Sequence, residues 1–256
     1  MILPKEYSID LPLQRGTKSK AVKLVQEWLS LNGVGLTIDG SFGPATEASV
    51  KKFQSSSRIT ASGRVNKDTF NALIAPIVRA TSPLTTSTTS FAQRVVQAAR
   101  IHLKEHPREV GGANAGPWVR LYTGGKEGPQ WAWCAGFVTT LLRAAEEGQS
   151  SDKLSPIKGS LSCDVLAAQA RKAMRFVSDK DLSSGAVDRT QLKHGAIFLI
   201  RNKRNATDWT HTGIVTAFFD EYVETIEGNT NDSGDREGYE VCARRRSYTN
   251  MDLIRL

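Results

Sequence analysis

The sequence predicts an α+β protein, in which a small all-α domain precedes a domain of helices packed on an antiparallel sheet. Residues 81–90, TSPLTTSTTS, are uncharged and rich in Ser and Thr, which is typical of a linker. Before this run the apolar residues follow only helical spacing. After it, helical patterns come first and strand-like runs follow at 195–200, 211–219, 222–227 and near 239–246. The predicted units are therefore residues 1–80, the linker 81–90, and residues 91–256.

Composition and charge are those of a globular protein with a basic surface. The 256 residues are 39% hydrophobic and 23% charged, with a net charge of +8. Residues 1–82 hold 11 Lys and Arg against 6 Asp and Glu, which gives +5 of that total. A basic surface favours an anionic partner such as nucleic acid, a membrane or a bacterial envelope. No motif singles out nucleic acid, so we do not expect it as a partner.

Cysteine count and apolar runs exclude several classes of protein. Three cysteines cannot form a closed disulfide framework, and no CxxC pair suggests structural zinc. No apolar run approaches the length of a membrane span. The N-terminus shows no signal peptide, so we expect a protein made in the cytoplasm that reaches any external target by another route.

The first 80 residues have the pattern of three short helices joined by Gly turns. Val22, Val25 and Trp28 share one helical face, and Gly33 follows as a stop. Pro44 suits the first turn of a second helix. A third helix is predicted to begin at Asn66, a favoured N-cap residue.

An internal repeat of 23 residues supports this helical organisation. Gly40, Phe42, Thr46 and Val50 recur as Gly63, Val65, Thr69 and Leu73. The predicted first helix also contains the pair Val25-Gln26, where this kind of domain has a Leu-Gln type pair. With both features, the region resembles the peptidoglycan-binding domain of bacterial and phage wall enzymes. The residues that carry the wall-binding motif are Asp39, Gly40, Phe42, Gly43, Thr46, Phe53 and Gln54. Ser19 departs from the glycine that this family often has there. The resemblance implies that bacterial peptidoglycan is a partner.

Cys134 begins the clearest amphipathic helix of the chain, WCAGFVTTLLRAAEEG, which is predicted to end at Gly148. The first turn of a helix lowers the pKa of a thiol through free N–H groups and the positive end of the helix dipole. A catalytic thiol also needs a histidine that forms an ion pair with it, and a third group that orients the histidine. Cys134 is therefore a candidate nucleophile, whereas Cys163 and Cys242 are predicted to be structural thiols.

His211 is the candidate base because it opens an apolar strand. The next strand ends at Glu227, followed by Gly228 and Asn229. In an antiparallel pair the start of one strand lies beside the end of the next, which brings His211 close to Glu227 and Asn229. Either could orient the imidazole, and we favour Glu227.

These residues resemble those of the CHAP family, the cysteine- and histidine-dependent amidohydrolases and peptidases. The resemblance rests on Trp133-Cys134 before a helix, on H-x-G at His211, and on E-x-N from Glu227 to Asn229. It implies a papain-like (NlpC/P60-like) domain in which Cys134 is the nucleophile, His211 the acid and base, and Glu227 or Asn229 the orienting group. The Cys134 N–H and, by looser analogy, Gln130 would form the oxyanion hole. Some members of this family bind calcium through an acid-rich loop before the cysteine. The corresponding stretch, residues 111–128, has one acid, Glu127, so we predict no calcium. We also predict no other metal and no cofactor.

The aromatic residues have two interpretations. Five of them could line a substrate groove, although core packing fits each equally well: Trp118, Tyr122, Trp131, Trp133 and Trp209.

The two resemblances together imply a peptidoglycan hydrolase, either an N-acetylmuramoyl-L-alanine amidase or an endopeptidase, and we expect it to be a monomer. Without a signal peptide it would be a phage lysis enzyme released with a holin, or a secreted antibacterial effector that has an immunity protein. One alternative is a non-catalytic wall-binding protein with a degenerate second domain. Another is a zinc peptidase that uses His102 and His106 of HLKEH.

Overall fold

The chain begins with a helical region and ends in a six-stranded sheet, which confirms the α+β prediction. A computed structural model describes residues 4–84, 90–147, 149, 154–187, 192, 195–231 and 238–256. The N-terminal elements are a 3₁₀ helix, Lys5–Tyr7, and helices α1 Lys20–Leu31, α2 Pro44–Ser56, α3 Lys67–Leu73 and α4 Ala75–Thr81. The later helices are α5 Phe91–Lys104, α6 Pro117–Thr123, α7 Cys134–Glu146, α8 Cys163–Lys172 and α9 Asp179–Ser183. None of the helices in these described ranges combines the length and apolarity needed to cross a bilayer.

The sheet is antiparallel throughout its described pairings and has the order β1-β6-β2-β3-β4-β5. Its strands are β1 Phe176–Val177, β2 Ala196–Asn202, β3 Asn205–Phe218, β4 Tyr222–Thr230, β5 Glu240–Ser247 and β6 Met251–Arg255. Helices α5, α7 and α8 contact β3, and α7 also contacts β4. The alternating apolar runs predicted β2 to β5, while β1 and β6 were not predicted. The helices thus cover the strands that carry His211 and Glu227.

Two buried glutamines hold the N-terminal helices to the turns of the 23-residue repeat. The Gln26 side chain accepts hydrogen bonds from the N–H groups of Asp39 and Gly40 and donates to Thr46 Oγ1. In the second copy, Gln54 accepts from Gly63 N and donates to Thr69 Oγ1. Phe42 and Phe53 are buried in the core. The motif residues therefore stabilise the fold of this domain.

The predicted helix boundaries in this region agree with the structure. Asn66 caps α3 by accepting from Thr69 N at 2.9 Å, and Pro44 is the first residue of α2. Ser19, which departs from the family pattern, is the N-cap of α1 and accepts from Val22 N. This hydrogen bond gives a physical reason for a serine there.

The N-terminal helices pack directly on the second unit. One apolar core runs through both, and Trp28 of α1 meets Trp118 of α6 edge-on with ring centroids 5.9 Å apart. Beside this contact, Arg120 makes ion pairs of 2.7 Å with Glu6, Glu27 and Glu127. Of the predicted linker, residues 81–90, positions 85–89 lie outside the described residues, and Thr81 is the last residue of α4. These contacts join the two units through a shared apolar core and a cluster of ion pairs.

We expect Arg120→Met to destabilise the protein, because it removes the shorter of the two ion pairs of the buried Glu27 carboxylate and leaves only Lys23, whose Nζ lies 3.6 Å from Glu27 Oε1. The Glu27 side chain is 2% exposed, and removing one partner of such a pair typically costs about 3–5 kcal/mol. Thermal or urea unfolding measures the change. Arg15→Met is the matched control, because Arg15 is 66% exposed and lies 3.9 Å from Glu47. It should cost less than about 1 kcal/mol. Equal losses in the two variants would contradict the prediction.

Candidate active site

Cys134 is the first residue of α7, as its position in the apolar pattern predicted. The N-cap residue, Trp133, makes no side-chain cap, so its side chain occupies none of the first-turn N–H groups. Trp133 is instead fixed in the core, where its Nε1 donates to Glu109 Oε1 at 2.9 Å. The Ala135 N–H contacts the Cys134 sulfur. The Cys134 thiol, 6% exposed, therefore lies at the positive end of the α7 dipole.

His211 on β3 and Glu227 on β4 form the remainder of a three-residue chain with Cys134. His211 Nε2 lies 2.8 Å from Glu227 Oε2, and it carries the proton because a carboxylate only accepts. Cys134 interacts with the same imidazole through charge attraction. The Nδ1 atom of His211 is buried and has no hydrogen-bond partner within the described residues. His211 and Glu227 are both buried. The arrangement is that of a nucleophile, a base and a group that orients the base.

Two further residues, which the sequence did not single out, hold Glu227 in place. Arg246 on β5 binds both carboxylate oxygens, with Nε 2.5 Å from Oε1 and Nη2 2.6 Å from Oε2. Thr225 donates its hydroxyl to Oε1 at 2.5 Å. A bidentate guanidinium fixes both the charge and the plane of a carboxylate. The run of three arginines at 244–246 was the available signal, but it does not show which arginine faces the site.

Two glycines in the motifs allow close packing around these side chains. A Cβ at Gly213 would lie 2.7 Å from the Phe198 ring and 3.0 Å from Glu227 Cγ. A Cβ at Gly228 would lie 2.7 Å from both Phe137 and Trp133. The H-x-G and E-G-N patterns therefore have a steric cause, since a side chain at either glycine would push the strand away from its neighbours.

The charges of the site favour a thiolate paired with an imidazolium. A hydrogen bond from Cys163 and the interaction with His211 hold the pKa of Cys134 well below its usual value, against the effect of burial. Burial lowers the pKa of His211, but Cys134 and Glu227 outweigh it and raise that pKa to about 9. Burial raises the pKa of Glu227, but Arg246 and His211 outweigh it and lower that pKa to about 2. The three shifts therefore all favour the charged forms, a Cys134 thiolate, a His211 imidazolium and a Glu227 carboxylate.

The ion pair predicts that Cys134 remains reactive as the pH is lowered. We expect iodoacetamide to alkylate Cys134 rapidly at neutral pH, because the thiolate is the nucleophile and its pKa lies well below the usual 9.0. The midpoint of the rate profile should therefore lie well below pH 9.0. Mass spectrometry of the tryptic peptide 127–143 gives the rate at each pH. His211→Ala should move the profile to higher pH, and a wild-type profile centred near 9 would contradict the ion pair.

The other predicted site residues lie in different settings. Asn229 is buried with a left-handed backbone, φ 58°, and the group that accepts the hydrogen bond from His211 Nε2 is Glu227. Gln130 is exposed, four residues before Cys134. Trp131 is partly exposed and lies under Lys126, whose Nζ is 4.1 Å from the ring centroid.

The other four aromatic residues that were candidates for a substrate groove belong to the core, so the groove interpretation is wrong for them. Trp118, Tyr122 and Trp133 stack in sequence, with centroid distances of 6.3 and 5.2 Å, and are at most 2% exposed. Trp209 is buried and donates to Asp252 Oδ2 at 2.8 Å. These rings stabilise the scaffold behind Cys134.

The HLKEH segment does not form a metal site. His102 is fully buried, its Nδ1 lies 2.8 Å from the Tyr122 hydroxyl, and burial lowers its pKa to about 4. His106 is exposed in the turn after α5, with φ 49°. The two rings therefore do not face one ion. Over the described part of the chain, no three His, Cys, Asp or Glu side chains group as metal ligands.

Comparison with known proteins identifies the N-terminal unit. The family described as "Putative peptidoglycan binding domain" matches residues 18–73, which span α1 to α3. No curated protein sequence matches the chain. The matched range contains the 23-residue repeat and the two buried glutamines, Gln26 and Gln54. The chain therefore carries a peptidoglycan-binding domain near its N-terminus.

Proposed function

We propose that this protein is a peptidoglycan hydrolase whose papain-like second domain cleaves an amide bond of the stem peptide. One observation carries the proposal: Cys134, at the positive end of α7, interacts with His211, and His211 binds the buried carboxylate of Glu227. The peptidoglycan-binding domain supplies the substrate class, because it associates the chain with the cell wall. A stem peptide contains the amide bonds that such a nucleophile attacks.

The reaction would be acyl transfer through a thioester. The Cys134 sulfur attacks the amide carbonyl carbon, and the carbon–nitrogen bond breaks as the His211 imidazolium gives its proton to the departing amine. Water then attacks the thioester while neutral His211 takes a proton from it. The carboxylate product leaves and the Cys134 thiolate is regenerated. Glu227 remains charged throughout and holds the imidazole in the required tautomer.

The oxyanion of each tetrahedral intermediate needs fixed hydrogen-bond donors. The N–H of Cys134 belongs to the first turn of α7, where no intrahelical acceptor is available to it. Gln130 is exposed and near in sequence, so its amide could supply a second donor once substrate is bound. We propose that the Cys134 N–H and the Gln130 amide together bind the oxyanion.

The setting of the activity also belongs to the proposal. A chain of this kind would act on the wall as a phage lysis enzyme or as an effector delivered into rival cells, and an effector would have an immunity protein as a second partner. Because Arg120 and Trp28 fix the two units together, the wall-binding surface and Cys134 would approach the substrate in one relative orientation.

Digestion of purified sacculi tests the function. We expect the protein to release soluble fragments, and mass spectrometry of these fragments identifies the bond by its new amino terminus. A free alanine amine with an intact glycan marks muramoyl amidase activity, and an amine inside or between stem peptides marks an endopeptidase. Iodoacetamide should block the release, and a metal chelator should not. Retention on sacculi without any release would support the non-catalytic alternative and overturn the proposal.

A further inference from the structure

A second thiol lies beside the candidate nucleophile, and the mechanism above does not use it. Cys163 is the first residue of α8, as Cys134 is of α7, and a side-chain hydrogen bond joins the two thiols. Both are buried, at 7% and 6% exposure. The starts of the two helices therefore bring two sulfur atoms together.

Contacts on both sides fix this approach. Thr139 of α7 donates to the Ser160 carbonyl at 2.7 Å and accepts from the Ser160 N–H at 2.8 Å, which ties α7 to the segment before α8. On the other side, Asp164 Oδ1 accepts from the Trp209 N–H at 2.8 Å, two residues before His211. Cys163 is thus held between the helix of the nucleophile and the strand of the base.

We propose that Cys134 and Cys163 form a reversible disulfide when the protein meets a hydroperoxide, and that this disulfide inactivates the site. The effect on activity depends on the proposed function, whereas the covalent chemistry does not. Such pairing of an activated thiol with a resolving thiol is a recurrent form of redox control. It would also protect the nucleophile from irreversible oxidation.

The chemistry takes place in two steps. The Cys134 thiolate attacks one peroxide oxygen, so a sulfur–oxygen bond forms, the oxygen–oxygen bond breaks, and the departing oxygen takes a proton and leaves as water or an alcohol. The Cys163 sulfur then attacks the Cys134 sulfenic acid, and its proton leaves with the hydroxyl as water. The two sulfurs lose two electrons in total and the peroxide gains them. A dithiol such as dithiothreitol reverses the process by exchange.

The test is peptide mapping of the purified protein after treatment with hydrogen peroxide. Under non-reducing conditions we expect tryptic peptide 127–143 to be joined to peptide 159–171, with the loss of two hydrogen atoms, and dithiothreitol to separate them. Cys163→Ser should form no such link and should accumulate Cys134 sulfinic acid. Cys242→Ser is the matched control, because Cys242 is also a buried thiol, and it should form the link as the wild type does.

Two outcomes would overturn the proposal. One is a wild-type protein in which Cys134 is oxidised to sulfinic acid without a link to Cys163. The other is a link that joins Cys134 or Cys163 to Cys242 instead. The oxidised and reduced protein samples are also assayed for the release of soluble fragments from sacculi. This assay distinguishes a failure of the disulfide proposal from a failure of the proposed function. Activity in the reduced protein with no link overturns only the disulfide, while a reversible link in an inactive protein overturns only the hydrolase.

Discussion

Replacing Cys134 with alanine is expected to abolish the release of soluble fragments from sacculi while binding to them persists. The substitution removes the nucleophile, and comparable losses in enzymes that use a covalent intermediate reach roughly 10⁴-fold or more. Binding should persist because the matched wall-binding region, residues 18–73, lies elsewhere in the chain. Release is measured as soluble fragments over time, and binding as protein that sediments with the sacculi.

Cys242→Ala is the matched control for this experiment. Cys242 is likewise a buried cysteine, but it lies on β5 and takes no part in the proposed acyl transfer. We expect that variant to keep the wild-type rate. Fragment release by Cys134→Ala at the wild-type rate would contradict the assignment of the nucleophile. Loss of sedimentation would show instead that the substitution disturbs the fold, and His211→Ala would then carry the test.

Cys134, His211 and the segment 227–229 could be predicted because each has a local signal. The apolar spacing of α7 places Cys134 at a helix start, and the alternation of β3 and β4 places His211 beside the end of the next strand. The choice between Glu227 and Asn229 could not be made this way. It depends on the irregular pairing after Glu227, where the register between β4 and β5 shifts. A shift of this kind changes which side chain faces the histidine.

The supporting residues could not be predicted because they depend on tertiary register. Arg246 lies opposite Val223 in the sheet and reaches Glu227 along the same face. Its neighbours Arg244 and Arg245 are the same residue type and carry the same charge. Only the pairing of β5 with β4 therefore determines which of the three arginines reaches Glu227. Cys163 is 29 positions from Cys134, and the packing of two helix starts brings them together.

The contact between the two units likewise could not be predicted from the local sequence. The Ser/Thr-rich run predicted a linker, because composition indicates how easily a segment bends. Composition does not indicate whether the units on either side of the linker bind each other. That property depends on Arg120, which pairs with Glu6 and Glu27 across more than ninety positions of sequence. Nothing in the local pattern around any of these charges distinguishes them from solvated surface residues.

Glu227→Gln is expected to lower activity strongly and to destabilise the protein. The amide keeps the shape but removes the charge that supports the His211 imidazolium, and loss of an orienting acid typically costs up to roughly 10⁴-fold in rate. It also leaves the Arg246 guanidinium, 21% exposed, without its counter-charge, which should cost about 3 kcal/mol. The sacculus assay and thermal unfolding measure the two effects. Wild-type activity in this variant would contradict the orienting role.

The pH dependence of stability gives an independent check on Glu227. Its pKa is about 2 in the folded protein and 4.5 ordinarily, so the folded state binds the proton less readily. The charged carboxylate therefore stabilises the fold above pH 4.5, and this contribution is lost as the pH falls toward 2. We expect wild-type stability to fall more steeply over that range than that of Glu227→Gln. Glu224→Gln is the control on the same strand, because its ion pair with Arg245 is exposed, and it should retain the wild-type slope and activity.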